Sequence, residues 1–203
     1  MMKYNGPKVR LSRALGIAIT PKAARIMEMR PYPPGQHGVN SQRRRRTRGY
    51  KEQLIEKQRL RAQYNVHERQ MKTYFKRAMQ AKGNTADNLV ALLETRLDAL
   101  VLRAGLARTI YAARQVVGHG HIQVNGRKMD IPSAALRPND VITIRERSKK
   151  MRMFRDALQG AVSSPDYLTV DKDNMTARVE RVPLRDEVPV ICDVAKVIEF
   201  YSR

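Results

Sequence analysis

Arg103-Ala104-Gly105-Leu106-Ala107-Arg108-Thr109-Ile110-Tyr111-Ala112-Ala113-Arg114-Gln115-Val116-Val117-Gly118-His119-Gly120-His121-Ile122-Gln123-Val124-Asn125-Gly126-Arg127-Lys128 reads as the end of one helix, a tight turn, a second helix and a strand hairpin. Gly105 stops the first helix. Thr109 suits the N-cap of the second, over roughly 110–118, because its hydroxyl can accept an orphan backbone N–H. Ile110, Ala113 and Val117 share one face of that helix, and Gly118 and Gly120 close it. Asn125-Gly126 between alternating residues is a strong hairpin signal of type I′. Arg96, Arg103, Arg108 and Arg114 line the helices, and Arg127 and Lys128 follow the turn. Basic side chains beside a helix N-terminus with free N–H groups suit phosphate. The plainer reading is a helical hairpin with solvated arginines.

Charge weighs against the plainer reading. The chain has 203 residues, 40 Lys and Arg and 19 Asp and Glu, a net charge of +21. Such a charge resists compaction and suits a polyanionic partner, nucleic acid ahead of an anionic membrane. No run of about 18 apolar residues is present, so no membrane span is expected. The first residues lack the apolar core of a signal peptide. Cys192 is the single cysteine, and alone it builds neither an internal disulfide nor a zinc site. The charge is uneven: 21 basic against 5 acidic residues give +16 over residues 1–90, and 19 against 14 give +5 over residues 91–203.

Residues 1–48 show weak periodicity and are expected as an extended basic arm with few contacts to the core. Three prolines and two glycines in Pro31–Gly38 exclude a helix or a central strand there. Arg43, Arg44, Arg45, Arg46 and Arg48 form either a solvated charge run or a segment that orders on phosphate. Tyr32 and His37 suit base stacking or local packing equally. A helix is expected over roughly 50–63, broken at Asn65, and a second over roughly 67–82. Met71, Tyr74, Phe75, Ala78 and Met79 form the core stripe of the second, opposite Arg69, Lys72, Lys76, Arg77 and Lys82. Thr85 reads as an N-cap, and Leu89, Leu92, Leu93, Leu97, Leu100, Val101 and Ala104 read as one continuous helical stripe.

After the hairpin, Val141–Ile144, Tyr167–Val170 and Met175–Val179 read as strands, about five in all and mostly antiparallel. A helix is expected over roughly 149–159. Asp193 caps a C-terminal helix carrying Val194, Val197, Ile198 and Tyr201, which needs an apolar surface to dock on.

From Leu93-Glu94-Thr95-Arg96-Leu97-Asp98 through Ala113-Arg114-Gln115 to Gly118–Arg127, the chain resembles the S-four RNA-binding domain. Pro31–Gly38, Glu56–Arg61, Asp130-Ile131-Pro132-Ser133 and Val197–Arg203 extend the resemblance to the bacterial S-four family of small-subunit ribosomal proteins, over nearly the whole chain. The resemblance implies an α+β fold: an all-helical domain with an inserted domain of five antiparallel strands packed on helices, plus the basic arm. The expected division is an arm at 1–48, a helical domain at 49–90 completed by 193–203, and an inserted RNA-binding domain at 91–192 with its module core at 93–150. It also implies binding to the 5′ domain of 16S rRNA early in assembly, and a place by the mRNA entry channel that influences decoding accuracy. Neighbouring small-subunit proteins of the S-three and S-five types are implied, and in some members repression of the protein's own mRNA. With these, Arg59, Lys72, Lys76, Thr109, Gln115, His119, His121 and Asn125 are expected in the RNA-binding set. No catalytic group and no cofactor is implied.

Two positions depart from the family pattern. Some members hold zinc through an N-terminal cysteine cluster, but residues 1–48 contain no cysteine, so no metal is expected. Many members place Arg directly after the capping Ser or Thr, where this chain has Ile110, with Arg108 before the cap. The segment from Leu184 to Cys192 matches weakly. The same module also occurs in RNA-modification enzymes and tRNA synthetases, which carry catalytic domains of their own. Residues 91–203 present no Ser–His–acid, nucleotide-loop or metal-ligand pattern. A helix-turn-helix DNA regulator needs base-reading side chains where Ile110, Tyr111, Ala112 and Ala113 stand.

Overall fold

The computed structural model describes residues 4, 6–41, 49–160 and 164–202. In chain order the elements are α1 (Lys8–Leu15), α2 (Pro21–Met29), α3 (Gly38–Ser41), α4 (Gly49–Gln63), α5 (Glu68–Gln80), α6 (Thr85–Glu94), α7 (Leu97–Arg103), α8 (Ile110–Gly118), β1 (Ile122–Val124), β2 (Arg127–Lys128), β3 (Val141–Ile144), α9 (Glu146–Lys149), α10 (Arg152–Gln159), β4 (Leu168–Asp171), β5 (Thr176–Val179) and α11 (Val194–Tyr201). The chain is α+β, as its patterning indicates. It divides into two compact units, Met1–Arg77 with Val190–Arg203, and Ala78–Pro189.

In the first unit, residues 8–29 correct the expectation of an extended arm: they form α1 and α2. Their signals are caps rather than periodicity. Gly16 closes α1 in the left-handed region, and the Thr20 hydroxyl accepts from Ala23 N with Pro21 at the first turn of α2. Nor does this segment lack core contacts. Leu15 and Ile17 bury with Ala62 of α4, and Leu11 and Ile19 pack against them. Arg13 donates from Nε to Tyr32 O at 3.1 Å, and its guanidinium lies 4.9 Å from the Tyr32 ring centroid. Tyr32 is thus packed locally. Arg43, Arg44, Arg45, Arg46 and Arg48 lie outside the described residues.

Helix α11 docks on α4 with its apolar stripe, as expected, and around a buried cation as well. Val194 and Val197 are buried, but so are Gln53 and Lys57 of α4. Lys57 Nζ is 3.0 Å from Glu68 and 4.4 Å from the Phe200 ring centroid. Tyr201 Oη donates to Glu68 at 2.8 Å, and Arg61 lies 3.0 Å from the same carboxylate. Gln53 donates to Glu199 at 2.8 Å.

In the second unit, the single stripe expected from Leu89 to Ala104 is instead two helices, bent at Thr95-Arg96. Asn84, not Thr85, is the N-cap of α6, its side chain accepting from Ala86 N. At the bend, Arg96 bridges to Ala135, Leu97 N donates to Ala134 O at 2.8 Å, Asp98 N to Pro132 O at 3.1 Å, and Leu136 N to Thr95 O at 2.9 Å. The 132–136 loop therefore satisfies backbone groups that a continuous helix would satisfy itself. Gly105, at φ 72°, ends α7. Asn125 and Gly126, at φ 51° and 78°, make the hairpin turn. The five strands run in the order β2-β1-β3-β5-β4, every pair antiparallel. Ile122, Ile142, Ile144, Ala177 and Val179 are buried, alternating with wetter neighbours as the pleat requires.

The Glu68 network makes the first unit acid-sensitive. Burial raises the Glu68 carboxyl, but hydrogen bonds from Lys57 and Tyr201 and the charges of Lys57 and Arg61 outweigh it and hold it below its ordinary value of 4.5. A depressed acid contributes stability that is full above 4.5 and lost as pH falls through the folded value. Glu68→Gln should be less stable than the parent at neutral pH and show a shallower loss of stability below 4.5, read by urea unfolding across pH.

Candidate nucleic-acid interface

Two buried ion networks fix the helices of the module. The Arg96 side chain is fully buried and clasps Asp98 with both arms, Nε to Oδ1 at 3.0 Å and Nη2 to Oδ2 at 2.7 Å. Arg114 of α8 reaches the same Oδ2 at 3.4 Å, and Asp98 Oδ1 also accepts from Ala99 N. Burial lifts the Asp98 carboxyl above its usual value, against the pull of the Arg96 and Arg114 guanidiniums. In the second network, Glu94 takes Arg103 Nε at 2.5 Å and the Tyr167 hydroxyl at 2.8 Å. Burial and the Glu94 charge push the Tyr167 phenol far up. Asp98 and Glu94 were not among the expected site residues, although an acid two to nine residues from an arginine in an apolar stripe is a visible signal.

These networks tie part of the expected RNA-binding set into the fold. Arg96 is out of a ligand's direct reach because its guanidinium is buried on Asp98. The side chains of Arg103 and Arg114 keep 18% and 11% of their exposure, so each is divided between fold and surface. Arg59 is tied within the first unit, to Leu15 O at 2.9 Å and Glu56 at 2.7 Å. Asn125 builds its turn, donating to Asp140 at 2.8 Å and accepting from Val141 N at 2.9 Å. Thr109 caps α8, its hydroxyl accepting from Ala112 N at 3.1 Å.

The other candidates lie outward. Lys72 and Lys76 are exposed on α5, with Arg69 and Arg77 on the same solvent face. Gln115, His119, Arg127 and Lys128 are exposed. Arg108 is exposed, and it donates from Nη2 to Asp156 O at 2.8 Å, so it is held in place. His121 is half-buried, its Nδ1 2.9 Å from Ser148 Oγ. Arg145 was missed: the pairing of Ile122 with Ile144 brings it to the α8–β1 turn, where Nη1 donates to Gly120 O at 3.4 Å. Among the described residues no cluster of His, Cys, Asp and Glu suits a metal ion, and no helix is long and apolar enough to cross a membrane.

Family comparison accounts for this arrangement. Residues 3–94 match the model of the ribosomal protein S4/S9 N-terminal domain, and residues 95–142 match the S4 domain. The small ribosomal subunit protein uS4 of Streptomyces avermitilis is 51% identical over the full length of both chains. Those of Streptomyces coelicolor and Micrococcus luteus are 53% and 52% identical, covering 97% and 96% of this chain and 97% and 95% of their own. The chain belongs to the ribosomal protein S4 family. The boundary between the two matched S4-family segments, at 94/95, falls on the bend between α6 and α7.

Asp98 should dominate the stability of the S4 domain. Asp98→Asn leaves two guanidiniums against a neutral amide and should cost about 3–5 kcal/mol in urea unfolding. Arg114→Ala should cost markedly less, because Asp98 keeps its bidentate partner Arg96.

Proposed function

We propose that this protein is a constituent of the small ribosomal subunit that binds the 5′ domain of 16S rRNA and nucleates its assembly. The observation that carries this reading is the exposed basic set, Lys72 and Lys76 on one unit and Arg108, Arg127 and Lys128 on the other, in a chain alike over its full length to small-subunit uS4 proteins. Recognition is of RNA shape and backbone. Exposed Lys and Arg neutralise phosphates and release counterions, while the turn after α7 and the β1–β2 hairpin fix orientation. Arg114 and Arg103 add their exposed edges, held rigid by Asp98 and Glu94. Gln115 and His119 are exposed in the last turn and at the C-cap of α8. Arg43–Arg46 and Arg48 contribute electrostatic grip, and the helical domain and the inserted RNA-binding domain act as separate functional parts. In the assembled subunit the protein neighbours S-three and S-five types near the mRNA entry channel, contributes to decoding accuracy, and represses its own mRNA when in excess.

Footprinting on small-subunit rRNA, with tRNA and duplex DNA as competitors, tests the reading. Protection confined to a multi-helix junction of the 5′ domain is expected; equal protection of tRNA refutes it. With about 6–10 phosphates engaged, affinity should fall by roughly 10³–10⁵ between about 50 and 200 mM salt. A nearly flat salt dependence contradicts a backbone-reading mechanism.

A further inference from the structure

Four basic side chains converge on the Gly118–His121 turn. His119 and His121 flank Gly120 with ring centroids 6.1 Å apart. Lys128 of β2 folds over Gly120 so closely that a Cβ there would lie 2.5 Å from its Cε and 3.3 Å from its Nζ. Gly120, at φ 71°, is favoured by its backbone, and the flexible end of Lys128 lies over it. Arg145, from the end of β3, donates to Gly120 O. Among the described residues the other neighbours of His121 are the Ser148 hydroxyl from α9 and the edge of Phe154 from α10 at 6.1 Å. Of the acids nearby in sequence, Asp130 pairs with Lys128 at 3.5 Å and Glu146 with Lys149 at 2.6 Å.

We propose that this turn is a proton-linked phosphate site, where one RNA phosphodiester sits among His119, His121, Lys128 and Arg145 and is bound more tightly when an imidazole is protonated. The proposal rests on the RNA-binding reading above and names one contact within it. Without a ligand, crowding of like charges opposes protonation. Burial, His119 and Arg145 hold His121 below its ordinary value of 6.5. A phosphate reverses the local sign and favours the imidazolium, which donates from both ring nitrogens. The Ser148 hydroxyl then accepts from Nδ1, leaving Nε2–H for the phosphate. Because the bound form holds a proton that the free form lacks, affinity rises as pH falls through the bound value and levels off below the free one.

The test uses the full chain and a transcript of the 5′ domain of small-subunit rRNA at constant ionic strength. Between about pH 8 and about pH 6, affinity should rise by up to roughly tenfold per unit for one linked proton. His121→Gln and His119→Gln together should flatten that slope. A pH-independent affinity in the parent overturns the proposal, and so does a slope that survives both substitutions, which would belong to the RNA or to His37 and His67. Salt-dependent binding separates the two levels: if it persists without a pH slope, only the proton-linked site fails; if no RNA binds at any pH, the RNA reading fails and this site with it. NMR titration of the histidine rings in the parent, with inorganic phosphate against chloride, gives a readout free of any variant. The His121 value should rise with phosphate, and an unchanged or lowered value counts against the site.

Discussion

Asp98 holds two guanidiniums where there is almost no water, and the second unit is arranged around that grip. Arg96 comes to it from the bend before α7, Arg114 from the middle of α8, and Asp98 itself stands in the first turn of α7. The carboxylate thereby sets the angle between the two helices of the RNA-binding module. Desolvating three charges is expensive, and a buried pair returns little net stability. What it returns here is definition. The apolar stripe from Leu89 to Ala104 is compatible with one straight helix, and the clasp, together with the carbonyls of Pro132 and Ala134, selects the bent arrangement.

The same rule decides where every cation goes. There are 40 basic side chains and 19 acidic ones, so most bases have no acid available. Several that find one turn inward, Arg96 and Arg114 on Asp98, Arg103 on Glu94, Lys57 and Arg61 on Glu68, Arg59 on Glu56, while other pairs, such as Lys128 with Asp130 and Arg152 with Asp156, stay exposed. Lys72, Lys76, Arg127 and Arg108 stay at the surface, since burying an unpaired charge costs several kcal/mol. The surplus of positive charge is thus sorted onto the outside, where a polyanion collects it. The acids are few, but Asp98, Glu94 and Glu68 each hold one or two basic side chains and so shape the surface without lying on it.

Legibility followed the range of the interactions. Helix α8 was readable from Thr109 and its apolar face, and the hairpin from Asn125-Gly126, because those signals lie within a few residues. The strands over Val141–Ile144, Leu168–Asp171 and Thr176–Val179 were readable from alternation, with ends shifted by about one residue. Helices α1 and α2 escaped because their signals are the caps Gly16 and Thr20, and the burial of Leu15 and Ile17 depends on Ala62 of α4. The burial of Arg96 was not legible, because its partner lies two residues away but its burial depends on the loop around Ala135.

By itself the sequence determined the fold class, the helix–turn–helix–hairpin module, the surplus of positive charge and the family, since these are written in short-range pattern, composition and motif order. Only the tertiary structure decided which arginines are tied into the fold and which stay at the surface. It also brought Arg145 and Lys128 to the Gly120 turn and set Lys57 between Glu68 and Phe200. A side chain's charge is local, but whether that charge is neutralised, buried or offered to a ligand depends on what the rest of the chain places within a few ångströms of it.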